Sequence, residues 1–213
     1  MIIPTIFAHN KKEFSQRFQK LLPISKNLQI DFMDGKFVKS KSISLSNIPN
    51  LKKYKKNFEA HLMVKNPDNY LKKLKKKGFN KIIFHYISTN DSEKTIKKIK
   101  QLKLSAWLAI NPQVSIKKII PLLQKADGIL LMGVEPGKEH QLLIPSIYKK
   151  IKALRRINKK IKVQIDGGVN DKTLVLLAKL GVNYINSGSY ISDSKNPGQT
   201  LKKLNNLYEK YKK

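Results

Sequence analysis

Short apolar runs whose side chains alternate recur along this 213-residue chain, each followed by a segment in which apolar residues return every three or four positions. The runs fall at 2–8, 28–33, 58–64, 81–85, 105–110, 128–134, 162–166 and 183–186. A period of two marks strands, because successive side chains leave a strand on opposite faces. The intervening segments, 11–22, 48–55, 67–77, 91–100, 115–124, 145–157, 171–180 and 197–211, set Leu, Ile and Phe at helical spacing among lysines. Pro67 and Pro197 suit an early helical position, and Ser115 and Asn170 suit N-caps. Gly78 and Gly181 follow helical patterns where a left-handed residue is common. Strands alternating with helices imply a parallel sheet. Eight such units predict an α/β chain folded as a single (β/α)8 (TIM) barrel domain over residues 1–213. An open doubly wound sheet would gather its polar groups in one crevice, whereas here they end many different strands.

Composition narrows the setting. The chain is long enough to bury a full core, and its hydrophobic fraction of 40% is low but sufficient. No apolar run approaches the ~18 residues that span a bilayer, and no basic region followed by an apolar stretch and cleavage site opens the sequence. Cysteine is absent, which excludes disulfides, thiolate ligands and a cysteine nucleophile and fits a reducing cytoplasm, the expected location. The formal net charge of +30 invites a nucleic-acid reading. Yet only Arg17, Arg155 and Arg156 are arginine, the side chain suited to forked phosphate and base contacts, and the lysines are spread over the whole chain. That dispersion favours solvated helix faces, with weak, salt-sensitive, non-specific nucleic-acid binding as a by-product and a field that attracts a sugar phosphate.

The candidate chemistry lies at strand ends. Gln29-Ile30-Asp31-Phe32-Met33-Asp34-Gly35 ends one strand on a carboxylate, and Gln164-Ile165-Asp166-Gly167-Gly168 ends another on a carboxylate followed by two glycines. Alternation puts Gln29, Asp31 and Met33 on one face, and Gln164 with Asp166 on one face. In a barrel the C-terminal rim carries the site. It collects Thr5, Gln29, Asp31, Met33, His61, Met63, His85, Asn111, Met132, Asp166 and the Gly188-Ser189 turn. Two acids beside backbone able to approach a phosphate point to proton transfer on a phosphorylated substrate.

These residues resemble the ribulose-phosphate 3-epimerase family. The resemblance runs through Pro4-Thr5, Ile30–Val38, His61-Leu62-Met63-Val64-Lys65-Asn66-Pro67, Asn111-Pro112, Met132–Gly137, Asp166-Gly167-Gly168-Val169 and Ser187-Gly188-Ser189, in order across nearly the whole chain. It implies metal-assisted epimerisation at C3, interconverting ribulose 5-phosphate and xylulose 5-phosphate. Asp31 and Asp166 would be the acid/base pair and, with His61, ligands of one divalent metal ion (Zn, Mn, Fe, Co or Mg). Met33, Met63 and Met132 would floor the site around a planar intermediate, with Thr5, His61 and Gly137 also contacting substrate. Gly167, Gly168, Gly188 and Ser189 would hold phosphate through backbone N–H groups. Homo-oligomers are common in the family.

The departures concern the metal and the loops. Gln29 stands where the family places a metal-binding histidine. Three arrangements follow: ligation through the amide oxygen, a three-ligand site completed by water, or loss of the ion. The last would leave a degenerate phosphosugar- or RNA-binding barrel. A ketohexose phosphate such as allulose 6-phosphate is a further alternative substrate, because its phosphate end would read identically. Thr5 replaces a usual Ser, Asn10 a usual Asp, and the loop Pro136-Gly137-Lys138-Glu139-His140-Gln141 carries fewer glycines than the family's form.

Overall fold

Local rules start most of the helices. Asn10 caps α1 (Lys11–Leu21) by accepting from the Glu13 N–H, and Phe14, Phe18 and Leu21 then fall on one buried face. Pro197 opens α7 (Pro197–Tyr211), and Asn170 makes a reciprocal capping box with Thr173 at the head of α5 (Asp171–Lys179). The lysine-rich α2 (Leu71–Lys77) buries only Leu71 and Leu74, while Lys72, Lys73, Lys75 and Lys76 are exposed. Gly78 ends it at φ +100°, a left-handed position where a side chain would strain the backbone and meet Lys52. The remaining helices are α3 (Ser92–Gln101), α4 (Ser146–Ile157) and the short α6 (Ser189–Ser192).

In the computed structural model, which describes residues 1–212, eight parallel strands pair in chain order and close on themselves. They are β1 (Ile2–Ile6), β2 (Asn27–Met33), β3 (Asn57–Met63), β4 (Lys81–His85), β5 (Ser105–Ile110), β6 (Gly128–Met132), β7 (Val163–Asp166) and β8 (Tyr184–Ser187). The β8–β1 pairing, with Ile3 beside Asn186, closes the barrel and leaves no free sheet edge. The helices pack outside it, joining strand residues such as Leu28, Ile30, Phe58 and Leu62 in a continuous apolar layer. Among the described residues no helix is long and apolar enough to cross a membrane.

Two expected helices are not α-helical. Residues 48–55 form only the single 3-10 turn Leu51–Lys53, because Tyr54 turns extended to feed β3 three residues later. The like charges of Lys52, Lys53, Lys55 and Lys56 also oppose a compact turn. Residues 115–124 form a 3-10 stretch, Ile116–Leu122, capped by Ser115 as expected. Pro121 lies inside it, has no N–H to donate and keeps the preceding residue from settling into an α-helix.

Inside the barrel, below the rim, lies a polar layer rather than an apolar plug. The Lys81 ammonium donates to Glu59 Oε1 at 3.0 Å and to Gln164 Oε1, and sits 3.5 Å from the Trp107 ring centroid. Gln164 Nε2 donates to Glu59 Oε2 at 2.9 Å and to Asn186 Oδ1 at 2.6 Å. Among the described residues Lys81 is the sole buried lysine, and no buried side-chain polar atom lacks a partner. Breaking a buried ion pair from one side strands the other charge in a dry interior. Lys81→Met should therefore cost about 3–5 kcal/mol in urea unfolding. Adding Glu59→Gln to that variant should recover part of the loss by removing the stranded charge. A double variant less stable than Lys81→Met alone would contradict this account.

Candidate active site and metal centre

Strand register builds the site. Asp31 pairs with His61 and Met33 with Met63 across β2–β3, and Met132 pairs with Asp166 across β6–β7. Their side chains emerge at the C-terminal mouth, where a cavity of about 660 Å³ opens. Thr5, Met33, His61, Met63 and Met132 line this cavity together with both acids. Gly137, Gly167, Gly168, Gly188 and Ser189 form the wall above them. Gln29 does not line it; it is fully buried beneath the acids.

The acids converge on one imidazole. His61 Nδ1 lies 3.1 Å from Asp31 Oδ1 and 3.2 Å from Asp166 Oδ2. One ligand atom from each of these three residues can be chosen so that all lie within 4.8 Å of one another. Gln29 Nε2 completes the cluster, donating to Asp31 Oδ1 at 3.1 Å and to Asp166 Oδ2 at 2.8 Å. On its other side His61 Nε2 is 2.9 Å from His85 Nε2, and His85 Nδ1 is 2.6 Å from Asn111 Oδ1.

Electrostatics fix the proton positions in the metal-free protein. Burial raises Asp31 to about 6, against the lowering pull of His61. Burial disfavours a charged His61, but hydrogen bonds and charge from Asp166 and Asp31 outweigh it and raise the imidazole to about 9. His85 is pushed down to about 3 by burial and then by the charge on His61, so it stays neutral. A neutral His85 that donates from Nδ1 to Asn111 must accept at Nε2, which requires His61 to carry its proton on Nε2. The proton that His61 gains or loses is thus the one on Nδ1, facing the carboxylates.

The donor set suits a divalent cation: two carboxylate oxygens and an imidazole nitrogen whose lone pair can face them, in a pocket where two buried acids call for positive charge. The Asn111–His85 pair orients the imidazole from behind, the role outer hydrogen bonds play around metal ligands.

Around this centre Met33 and Met63 pack with Phe7, Phe37 and Val38, and Met132 packs with Ile83, Trp107 and Val134. Gly167 and Gly168 take φ of +97° and +69°, and a Cβ on Gly168 would come within 2.4 Å of the Leu143 backbone nitrogen. Backbone rather than side chain therefore forms that wall. The loop after β6 is tied down: Arg17 on α1 holds Glu139 with bonds of 2.8 and 3.0 Å, and Ser40 donates to the Gly137 carbonyl at 2.6 Å.

A family model described as the Ribulose-phosphate 3 epimerase family matches residues 1–192. The chain belongs to this family. The ribulose-phosphate 3-epimerase of Schizosaccharomyces pombe is 29% identical over 210 residues, covering 96% of this chain and 92% of the relative. The cytoplasmic isoform of Oryza sativa subsp. japonica is 31% identical over 187 residues, 85% of this chain and 82% of that one. That of Buchnera aphidicola is 34% identical over 198 residues, 89% and 87% of the two chains. Among solved structures, a 3-keto-L-gulonate-6-phosphate decarboxylase from Vibrio cholerae superposes with a TM-score of 0.77 at 9% identity, covering 99% of this chain and 98% of that one. A 3-hexulose-6-phosphate synthase from Salmonella typhimurium gives 0.74 at 14%, with 99% of each chain covered. At such identities these two share the barrel with the epimerase family member, and nothing finer.

Sequence reasoning named the acids, His61 and the methionines, and put His85 and Asn111 on the rim without a role. It missed the Lys81–Glu59–Gln164 layer and the Arg17–Glu139 tether. The layer has a signal in strand alternation, since Glu59, His61 and Met63 share one face, as do Lys81 and His85.

A cation can bind His61 only after displacing the Nδ1 proton, so binding should release about one proton per ion at pH 7. Because the imidazole is held near 9 and Asp31 near 6, apparent metal affinity should climb about tenfold per pH unit between those values, more steeply below pH 6, and level off above 9. Calorimetry in buffers of different ionisation heat measures the release. Ring-proton NMR of the metal-free protein should show His61 titrating near pH 9 and His85 neutral throughout the neutral range. No proton release, or a His61 titrating near 6, would contradict the assignment.

Proposed function

We propose that the protein is a ribulose-phosphate 3-epimerase that interconverts ribulose 5-phosphate and xylulose 5-phosphate by proton transfer at C3. The observation that carries this reading is the convergence of Asp31 and Asp166 on one buried imidazole at the mouth of a barrel from that family. Asp31, His61 and Asp166 would hold a divalent ion. When bound, the ion supplies positive charge to offset the negative charge that develops on the substrate oxygens as the C3 proton leaves.

The residues divide the remaining work. Inverting a carbon centre requires a proton to leave one face and another to arrive on the opposite face, so two carriers are needed. Asp31 on β2 and Asp166 on β7, with β8 and β1 between their strands, supply one carboxylate each. Burial already holds Asp31 near 6, closer to neutrality than an ordinary carboxylate, which makes it a stronger base for carbon. Met33, Met63 and Met132 present apolar, polarisable surface to a planar intermediate and keep water from its faces. Thr5 offers a hydroxyl at the cavity wall, 3.2 Å from Asn186 Nδ2. The Gly167-Gly168 and Gly188-Ser189 turns are the phosphate subsite, where backbone N–H groups can approach an anion without a side chain between. Gly137, in the tethered loop after β6, lines the cavity where substrate would sit.

In deuterated water with added divalent metal, ribulose 5-phosphate should gain deuterium at C3 and xylulose 5-phosphate should appear. Asp31→Asn and Asp166→Asn should each lower turnover in both directions by about 10³-fold or more, since each removes the proton carrier for one face of C3. Wild-type protein that leaves C3 unlabelled in the presence of Zn, Mn, Fe, Co and Mg would refute the proposal. Faster turnover of allulose 6-phosphate would move the substrate to the hexulose series.

A further inference from the structure

Gln29 is the residue at which this chain departs from its family's metal centre, and its amide has a direction. Its oxygen, Oε1, points down into the barrel, where Gln164 Nε2 lies at 3.4 Å; its nitrogen points up at the two acids. The direction follows from side chains that have no choice of role. Lys81 can only donate, so Gln164 must turn its oxygen toward Lys81. An ionised Glu59 can only accept, so Gln164 must turn its nitrogen toward Glu59, at 2.9 Å. Gln164 therefore turns its nitrogen toward Gln29; that nitrogen's shorter bonds go to Glu59 Oε2 and Asn186 Oδ1, the Gln29 oxygen is a third, longer acceptor, and only an oxygen suits a donor nitrogen. The 3.4 Å contact is the longest in the column, but reversing Gln29 would set two amide nitrogens against each other with no acceptor between.

We propose that Gln29 is a positioning residue rather than a fourth metal ligand: its amide nitrogen is a fixed donor that bridges Asp31 and Asp166, and Lys81 and Gln164 hold it so. The cation then has three protein ligands, Asp31, His61 and Asp166, and its other positions are left for water or substrate oxygens. The bridge holds the two acids together without help from an ion. This inference rests on the metal-assisted reading above, but its test does not need turnover.

The test is a Co²⁺ titration of chelator-treated protein followed by visible absorption, whose bands report ligand number and type. Gln29→Leu deletes the donor and any oxygen ligand together. It should bind Co²⁺ about tenfold or more weakly, as loss of an outer hydrogen bond does, with bands unchanged from wild type. Altered bands in Gln29→Leu would show that the amide had been a ligand and would overturn the proposal, as would a wild-type protein that binds no Co²⁺. Gln164→Glu provides the second measurement: an acceptor beneath Gln29 should turn its amide over, bring Oε1 to the cation and shift the bands. Unchanged bands in a folded, Co²⁺-binding Gln164→Glu protein would also overturn it. C3 exchange is scored separately. Protein that binds Co²⁺ as expected yet never labels C3 refutes the epimerase reading and leaves the role of Gln29 intact.

Discussion

In a closed barrel, every second side chain of every strand must enter a space that its neighbours have already filled and that water does not reach. A polar group sent there has to find its partner among the other inward residues, because solvent offers none. In this protein that constraint produces a column. It begins at the Lys81–Glu59 pair, passes through Gln164 and Gln29, and ends on Asp31 and Asp166 at the mouth. Each member limits the next, so the direction of one amide near the rim is set by a lysine at the foot of β4. The two acids are thus the upper end of the barrel's interior packing rather than groups placed on top of it.

The same constraint explains why this site can hold two carboxylates close together. Isolated in a dry pocket they would repel and take up protons; burial raises Asp31 to about 6 even against the lowering pull of His61. His61 and the Gln29 amide stand between them and donate to both, and His61 keeps its extra proton up to about pH 9 in exchange. His85 cannot share that charge, because it is buried and lies against the charged His61. The proton is therefore confined to the one atom of His61 that a cation would take, and metal and proton compete for a single place.

The strand pattern exposed this arrangement in part. Asp31, His61 and Asp166 stand out because short apolar strands rarely end on such residues, and the family resemblance tied them together. The eight strands were visible from their alternation, with ends within a few residues of those observed. Other features were hidden for physical reasons. Lys81 and Glu59 look like surface charges in a chain so rich in lysine, and only their parity with His85 and His61 marks them as inward. The Arg17–Glu139 contact joins residues 122 positions apart, and no local pattern encodes it. Residues 48–55 and 115–124 carry helical spacing, but in one the chain must straighten to begin β3, and in the other Pro121 removes a donor. Spacing records which face is buried; it does not record whether the backbone can complete a turn.

The replacement at position 29 shows what a barrel interior permits. An imidazole there would need an accepting partner for its second nitrogen, and the face below is the donor nitrogen of Gln164, whose own direction is fixed by Lys81. A glutamine meets that face with its oxygen and still reaches both acids with its nitrogen. Satisfaction of every buried donor and acceptor thus favours an amide over a ligand at this position. The acids lose a shared metal ligand and gain a permanent hydrogen bond, which sets their spacing before any ion arrives. Preorganisation of the acids then comes from the column, while the ligand atoms on offer to a cation are those of His61 and the two acids.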